Sequence, residues 1–319
     1  MEYQTGILIV GYGLHVKNKI LPAIRDLGFP ILGVVSSNKN IPYSLRSFKD
    51  LNEVKGLFKP SHIFIATNPV KHLSIIYEAT KISKKILVEK PIAIQKPSVL
   101  NSENFKNLRV EIKEGMMYRY NFLNKYLEKR NNIFKDYKKI EIKFILPVDS
   151  FNNKKSFRNL DNFRDSMIYD MGCYIYDFIW NFKLSNKDLI INDILNFKNG
   201  HAKFISLKSK KNNENLLSIE FGYGKNYCNE INFISRYNVN YNLKPFFYGR
   251  ETKVEINLSK NDKKFIKFYE NKNSFVKMIA EWYLNKRTHI QNEFSNFDRI
   301  SFIQNSLNKL SEKWRSHVY

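Results

Sequence analysis

The sequence predicts an α/β protein in which a doubly wound parallel sheet is followed by an α+β domain with a mostly antiparallel, open sheet. Up to about residue 115, short apolar runs alternate with stretches of helical spacing, which is typical of a parallel sheet. A pair of glycines directly follows the first run. Beyond residue 118, strand-like runs with alternating aromatic residues succeed one another, which favours an antiparallel sheet. We therefore predict two domains, 1–118 and 119–319, as the length of 319 residues allows.

The composition limits the class of protein. Hydrophobic residues make up 43% of the chain, and no stretch approaches the roughly 20 apolar residues of a membrane span. The first residues carry no basic region, and the apolar run Ile7–Val10 is too short for a signal peptide. Two distant cysteines, Cys173 and Cys228, make neither a disulfide framework nor a metal-ligand cluster. We expect a cytoplasmic protein without a membrane or metal site.

The net charge of +23 suggests a nucleic-acid partner at first sight. However, the lysines are scattered along the whole chain, and no helix-turn-helix, zinc-finger or RNP-like pattern is present. Abundant Lys, Asn and Ile also indicate an AT-rich genome, so the charge is partly compositional. We predict no nucleic-acid partner, because a positive field equally favours anionic small molecules such as phosphorylated cofactors or substrates.

The first element is a buried strand, Ile7–Val10, followed by Gly11-Tyr12-Gly13 and a helix with apolar residues from Ile20 to Leu27. Glycines in such a turn let the backbone approach a pyrophosphate, and the helix start supplies unpaired N–H groups. This predicts a Rossmann-type dinucleotide site rather than a simple tight turn. Val16 stands near the place of the third glycine of the fingerprint. The cofactor residues predicted here are Gly11, Tyr12, Gly13, Leu14 and His15.

The second predicted strand ends in Ser36-Ser37-Asn38-Lys39. NAD-specific sites usually carry an acid at this position to bind the ribose 2′-hydroxyl, and none is present. Small hydroxyls, an amide and a lysine would accept a 2′-phosphate. We predict Ser36, Ser37 and Asn38 as cofactor residues and NADP(H) in preference to NAD(H); the alternative is a solvated loop with cofactor choice set elsewhere.

Two further strands complete the pattern. His62–Thr67 leads into Asn68-Pro69 and a helix with His72, and Ile86–Val88 ends directly in Glu89-Lys90-Pro91. Lys90 is therefore predicted at the carboxyl end of a strand, which is the edge where open parallel sheets bind ligands. The alternatives are an ordinary solvated Glu-Lys pair and, for His72, a helix-surface residue.

Three signatures thus stand in order: the Gly11 turn, Ala66-Thr67-Asn68-Pro69 with His72 one turn later, and Glu89-Lys90-Pro91. Together they resemble the Gfo/Idh/MocA family of NAD(P)-dependent sugar oxidoreductases, over the first 120 residues and more loosely to about 180. The resemblance implies a second domain whose open sheet often forms an oligomer interface, here a homodimer or homotetramer. It also implies cofactor contacts from Ala66, Thr67, Asn68, Pro69, His72, Glu89 and Lys90.

The resemblance continues in the second domain. Arg119 lies in a segment similar to the family's substrate-bordering Arg-Phe segment, and Arg158 is weakly similar to a Trp-Arg substrate contact. The helix beginning near Tyr169 matches the family pattern Asp-x-Gly-x-His-x-x-Asp, with Tyr174 in the place of the histidine, as in the branch that uses tyrosine. This implies Tyr174 as acid/base and substrate contact.

The implied chemistry is coherent. The ordinary pKa of tyrosine, near 10, is lowered by a neighbouring ammonium, so Lys90 beside Tyr174 would ease proton exchange with a carbonyl or hydroxyl oxygen. Asp170, four residues before Tyr174 and on the same helix face, would orient or balance the lysine. The alternative is an aromatic helix face packed in the core. Two carboxyl-terminal helices, 274–282 and 300–314, are predicted without chemistry.

We therefore predict an oxidoreductase that moves a hydride between a nicotinamide and a sugar carbon, and we favour a reductase of a keto-sugar or nucleotide-sugar. A second enzyme hypothesis is a dehydrogenase of a free sugar, sugar phosphate or cyclitol. A third hypothesis, from another class, is a cofactor-binding regulator without turnover. A basic nucleic-acid binder, the fourth, predicts salt-sensitive retention of DNA or RNA.

Overall fold

The computed structural model of the chain describes residues 5–38, 40–94, 110–130, 137–151, 163–186, 189–210, 216–237, 239–261, 263–284 and 293–318. The chain divides into two compact units, one of residues 1–116 and 275–304 and the other of residues 117–274 and 305–319. No helix within the described ranges is both long and apolar enough to cross a membrane.

The first unit is built on a six-stranded parallel sheet with the order β3-β2-β1-β4-β5-β6. Its central strands are apolar at nearly every position because the sheet is covered on both faces. The strands are β1 (Ile7–Val10), β2 (Ile31–Val35), β3 (Ser47–Phe48), β4 (His62–Ile65), β5 (Lys85–Glu89) and β6 (Glu111–Gly115).

Helices connect these strands. A π-helical turn (Val16–Ile20) runs into α1 (Leu21–Asp26), α2 covers Leu51–Val54, and a 3₁₀ turn (Pro69–Lys71) leads into α3 (His72–Thr80). The strand order places the reversal of connection direction between β1 and β4. In open α/β sheets, ligands bind in the crevice outside the carboxyl ends of the strands at this point.

The second unit contains an eight-stranded sheet with the order β14-β13-β12-β11-β7-β10-β9-β8, in which only the β7–β10 pair is parallel. Along β7, buried Ile140, Ile142 and Phe144 alternate with partly exposed charged residues, so this strand has one apolar and one polar face. The strands are β7 (Tyr137–Pro147), β8 (Leu189–Asn196), β9 (Ala202–Ser209), β10 (Leu216–Gly224), β11 (Cys228–Ser235), β12 (Val239–Lys244), β13 (Thr252–Lys260) and β14 (Lys263–Asn271).

The other helices within the described residues are α4 (Phe122–Glu128), α5 (Ser166–Asn181), α6 (Ser274–Leu284) and α7 (Glu293–Val318). Two 3₁₀ turns, Met117–Tyr120 and Val148–Phe151, belong to the second unit. A parallel, helix-covered sheet and a mostly antiparallel second sheet confirm the predicted fold class.

The first unit differs from the predicted first domain, 1–118, in its carboxyl-terminal composition. Residues 275–304, which the predicted boundaries place in the second domain, belong to the first unit. The reason is the packing of α6: the ring of Trp282 lies 4.9 Å from that of His62, and Tyr283 stacks on Phe29 at 4.0 Å. Helical periodicity in the sequence indicates that one face is buried, but it does not indicate against which residues.

Candidate functional site

The glycine turn lies at the point where the sheet reverses, between the carboxyl ends of β1 and β4. Gly11 has a φ of +101°, and a Cβ there would lie 2.5 Å from the carbonyl oxygen of Ala66. Only glycine fits this close approach in this backbone conformation. A Cβ on Gly13, by contrast, would meet nothing within 4 Å. Gly13 therefore borders open space at the start of the following helix, where a pyrophosphate finds backbone N–H groups.

The end of β2 is tied to the glycine turn. The Nδ2 group of Asn38 donates a hydrogen bond of 3.0 Å to the carbonyl oxygen of Tyr12, and the Asn38 N–H donates to Oγ of Ser36 at 3.1 Å. Ser37 is exposed. The structure thus brings the predicted residues Tyr12, Ser36 and Asn38 together, and the short turn offers hydroxyls and an amide without a carboxylate.

The loop after β4 is organised by Asn68 and His72. Oδ1 of Asn68 accepts a hydrogen bond from the Val70 N–H at 3.1 Å, which starts the 3₁₀ turn at Pro69. His72 is fully buried, with Nε2 3.1 Å from the Thr67 carbonyl oxygen and Nδ1 3.0 Å from that of Pro91. The alternative of a helix-surface histidine is wrong, because this ring joins two loops at the carboxyl edge of the sheet.

Lys90 follows β5 in a segment that buried side chains hold in place. Nε2 of His15 lies 2.8 Å from Oε1 of Glu89, whose side chain is only 12% exposed. The Lys90–Pro91 peptide is cis, and the Ile92 N–H donates to Oε1 of Glu114 at 2.9 Å. The alternative of an ordinary solvated Glu-Lys pair is therefore wrong for Glu89.

The charges in this segment shift the titration of two groups. Burial by itself would raise the pKa of Glu89, but its hydrogen-bonded contact with His15 and the charge of Lys90 hold it below its usual range. Burial lowers the pKa of His72, and its contacts with the carbonyl oxygens of Pro91 and Thr67 oppose that effect only in part. We conclude that Glu89 is a carboxylate and His72 a neutral imidazole at pH 7.

In the second unit, one face of α5 carries a polar network. Asp177 is fully buried and accepts hydrogen bonds from the Tyr118 hydroxyl at 2.6 Å and from Nε of Arg119 at 3.0 Å. Nη2 of Arg119 donates to Oδ1 of Asn181 at 3.0 Å. Burial alone would lower the pKa of Arg119, but the Asp177 carboxylate raises it above its ordinary value, so the guanidinium is permanently charged.

Asp170 and Tyr174 lie on the same helix, with 3% and 5% of their surfaces exposed. The Tyr174 ring makes edge contacts with Tyr118 at 5.8 Å and Phe144 at 5.6 Å and a tilted contact with Phe247 at 5.9 Å. The packed aromatic helix face, which is the alternative to a catalytic role for Tyr174, is therefore present. The predicted acid/base role of Tyr174, with Asp170 as its neighbour, stays a prediction.

Three further residues named in the sequence analysis lie outside the described ranges or at the surface, and two buried acids had no predicted role. Arg158 and Lys39 lie outside the described residues, and Leu14 is exposed beside the glycine turn. Sequence reasoning gave no role to Glu114 or to the Asp177 network. The sequence could have pointed to Asp177, because this residue is the last position of the Asp-x-Gly-x-Tyr-x-x-Asp pattern. No motif in the sequence of β6 singles out Glu114.

The residues present fit a dinucleotide. The open space at Gly13, the helix start behind it and the hydroxyl and amide groups at the end of β2 are the features that a pyrophosphate and an adenosine ribose require. Among the side chains that the structure describes, no group of three or more His, Cys, Asp or Glu residues could hold a metal ion.

Comparison with known proteins finds similarity in structure. No protein-family model matches the sequence, and no curated protein matches it. A 3-ketoreductase from Actinomadura kijaniata, solved with NADP and TDP-benzene, superposes with a TM-score of 0.75 at 11% identity over 96% of both chains. A dehydrogenase (MviM) from Clostridium difficile gives a TM-score of 0.73 at 16% identity, covering 96% of this chain and 98% of the other. UDP-N-acetylglucosamine 3-dehydrogenase from Acidithiobacillus ferrooxidans gives 0.69 at 11% identity over 96% of both chains. This chain shares the fold of these three enzymes.

Proposed function

We propose that this protein is an NADP(H)-dependent oxidoreductase of the Gfo/Idh/MocA type that reduces a keto-sugar, most plainly one attached to a nucleotide. The observation that carries the proposal is the meeting of Gly11, Asn38 and His72 with the Lys90 segment at the carboxyl edge of one parallel sheet. The shared fold with an NADP-bound 3-ketoreductase and a UDP-sugar dehydrogenase supports the substrate class.

The first unit would hold the cofactor, which supplies the hydride when bound. The backbone from Gly11 to His15 would bind the pyrophosphate, and Ser36, Ser37 and Asn38 the adenosine ribose with its 2′-phosphate. Ala66, Thr67, Asn68 and Pro69 line the neighbouring strand end. The lack of an acid at positions 36–38 favours NADP(H) over NAD(H), since a carboxylate would repel the phosphate.

Lys90 and Tyr174 would handle the proton. In the reductive direction, the Tyr174 hydroxyl donates a proton to the carbonyl oxygen while the Lys90 ammonium stabilises the developing phenolate. Asp170 would balance the charge of Lys90. Arg119 and Arg158 would contact the substrate.

The assay uses purified protein, NADPH or NADH, and a panel of free and nucleotide-linked keto-sugars, with NADPH oxidation as the readout. We expect turnover of at least one nucleotide-linked substrate, a lower Kd for NADPH than for NADH, and a loss of about 10²–10⁴-fold in kcat for Lys90→Met and Tyr174→Phe. Equal background rates in all three proteins would refute the catalytic assignment.

Two other functions give different outcomes in the same assay. A dehydrogenase of a free sugar, sugar phosphate or cyclitol would reduce NADP⁺ with those substrates and leave nucleotide-sugars untouched. A regulator would bind cofactor and turn over no carbonyl.

We also propose that the protein forms a homo-oligomer through the second sheet. Opposite charges follow one another across several strands, with Lys143 paired to Glu220 at 3.8 Å and Lys244 to Glu255 at 3.5 Å, so a two-fold related copy would be complementary in charge. Ile266 and Phe268 on β14 are 56% and 63% exposed. Light scattering should give a dimer or tetramer, and Ile266→Glu with Phe268→Glu should give monomers. A monomeric wild-type protein would contradict this proposal.

A further inference from the structure

In the segment that carries Lys90, the other residues from Glu89 to Ile92 each contact a side chain of the first unit. Two of these side chains, His72 and Glu114, are buried, and His15 is 35% exposed. His15 holds the Glu89 carboxylate at 2.8 Å, and His72 lies 3.0 Å from the Pro91 carbonyl oxygen. Oε1 of Glu114 accepts the Ile92 N–H at 2.9 Å. Since Pro91 has no N–H, the two backbone groups that directly follow Lys90 and can form hydrogen bonds are both engaged.

Glu114 is unusual among these three residues because it forms a buried ion pair. Its side chain on β6 is fully buried, Arg299 on α7 is 3% exposed, and Nη1 of Arg299 lies 3.7 Å from Oε2 of Glu114. Ion pairs in such surroundings often contribute little to stability, because each charge loses its hydration. An opposite charge this close favours the charged form of a carboxylate, and a charged acceptor binds an amide about twice as strongly as a neutral one.

We propose that Glu114, paired with Arg299, is a positioning residue for Lys90 and acts through the Ile92 amide, while the neutral His72 ring, with its single proton on Nδ1, donates to the Pro91 carbonyl oxygen. This inference rests on the proposed role of Lys90 in proton transfer. An amine on a four-carbon stem reaches a reacting oxygen reproducibly only if its backbone is fixed, and a misplacement of about 1 Å can cost on the order of 10²-fold in rate. None of the three holding residues needs to touch the substrate.

The main variant replaces the pair together, Glu114→Met with Arg299→Met. This removes the acceptor without leaving an uncompensated buried charge, and apolar replacement of both members of a buried pair usually preserves folding. Glu114→Gln retains an oxygen that can accept the Ile92 N–H. His72→Leu releases the Pro91 carbonyl and leaves the ion pair intact, so it tests the same proposal if the double variant does not fold.

The matched control is Glu78→Met with Lys81→Met. These residues form an exposed ion pair of 2.7 Å at the carboxyl end of α3, with side chains 46% and 45% exposed, in contrast to the buried pair. The same number of charges is removed, so general effects of charge on NADPH binding are controlled.

Two quantities are measured: kcat and KM with the best substrate, and the rate at which acetic anhydride modifies the Lys90 amine as a function of pH, by mass spectrometry. For the double variant and His72→Leu, we expect kcat to fall about 10–100-fold with KM changed much less, and the pH midpoint of Lys90 modification to move. Glu114→Gln keeps an oxygen for the Ile92 N–H but leaves the Arg299 charge uncompensated, so its kcat should lie between those of the double variant and wild type. The control should equal wild type.

Unchanged kcat and unchanged Lys90 modification in both the double variant and His72→Leu would overturn the inference. If wild-type protein turns over no carbonyl, the proposed function fails, yet the modification profile still decides the positioning role. A fall in kcat with an unaltered modification profile would assign Glu114 to stability alone and also overturn the inference.

Discussion

The hydroxyl of Tyr118 donates a hydrogen bond to Asp177, with 2.6 Å between the two oxygens and both side chains fully buried. The same carboxylate oxygen accepts from Nε of Arg119. One acid on α5 thus fixes two consecutive residues near the start of the second unit.

Replacing Asp177 by alanine should therefore destabilise the protein strongly. The substitution leaves the Arg119 charge uncompensated in a buried site, so we expect the free energy of unfolding to fall by about 3–5 kcal/mol. Urea denaturation followed by circular dichroism measures this. Asp193→Ala, at an exposed position of β8, is the control and should change stability by less than about 0.5 kcal/mol. Equal effects of the two substitutions would contradict the network.

Stability should depend on pH through His62. Burial, with the charge of Lys85, lowers the pKa of this histidine from 6.5 to about 4. The folded protein then binds fewer protons than the unfolded chain between these values, so stability is complete above pH 6.5 and is lost as the pH falls toward 4. The loss reaches up to about 3 kcal/mol.

The measurement is urea unfolding at pH values from 7 to 4, with His62→Gln as the test variant and exposed His317→Gln as the control. We expect the slope of stability against pH in this window to decrease in His62→Gln and to stay the same in His317→Gln. A wild-type slope in both variants would rule out His62 as the source.

The two glycines of the turn should respond differently to alanine. At Gly11 a Cβ meets the Ala66 backbone at 2.5 Å in a left-handed conformation, so Gly11→Ala should lower stability by more than about 1 kcal/mol. At Gly13 nothing stands within 4 Å, so Gly13→Ala should preserve stability and weaken NADPH binding. Thermal unfolding and NADPH fluorescence titration separate the effects. Full NADPH affinity in Gly13→Ala would argue against a pyrophosphate at this turn.

Trp282 should contribute as a core residue of the first unit. It is 1% exposed and packs edge-on against His62 and Phe64. Trp282→Ala should cost about 3–5 kcal/mol, measured by urea unfolding. Tyr237→Ala, at a side chain 75% exposed, should be nearly neutral. A small loss for Trp282→Ala would contradict the assignment of α6 to the first unit.

The strands and their class follow from local features of the chain. The apolar runs Ile7–Val10 and Ile86–Val88 predict buried strands, because a parallel strand covered on both faces needs apolar residues at successive positions. Alternation along β7 marks a sheet with one covered face in the same way. Gly11 marks the turn in the sequence because the backbone there adopts a conformation that favours glycine.

The partners of polar side chains could not be predicted. Glu114 pairs with Arg299, which lies 185 residues further along the chain, and Tyr118 bonds to Asp177, which lies 59 residues further along. Periodicity reports that a residue is buried, since burial repeats with the geometry of the strand or helix. Periodicity does not indicate which distant side chain a buried residue contacts, because that depends on how whole helices and strands pack. For this reason the strands and the Lys90 edge came from the sequence, whereas the side chains holding that edge emerged only from the packed fold.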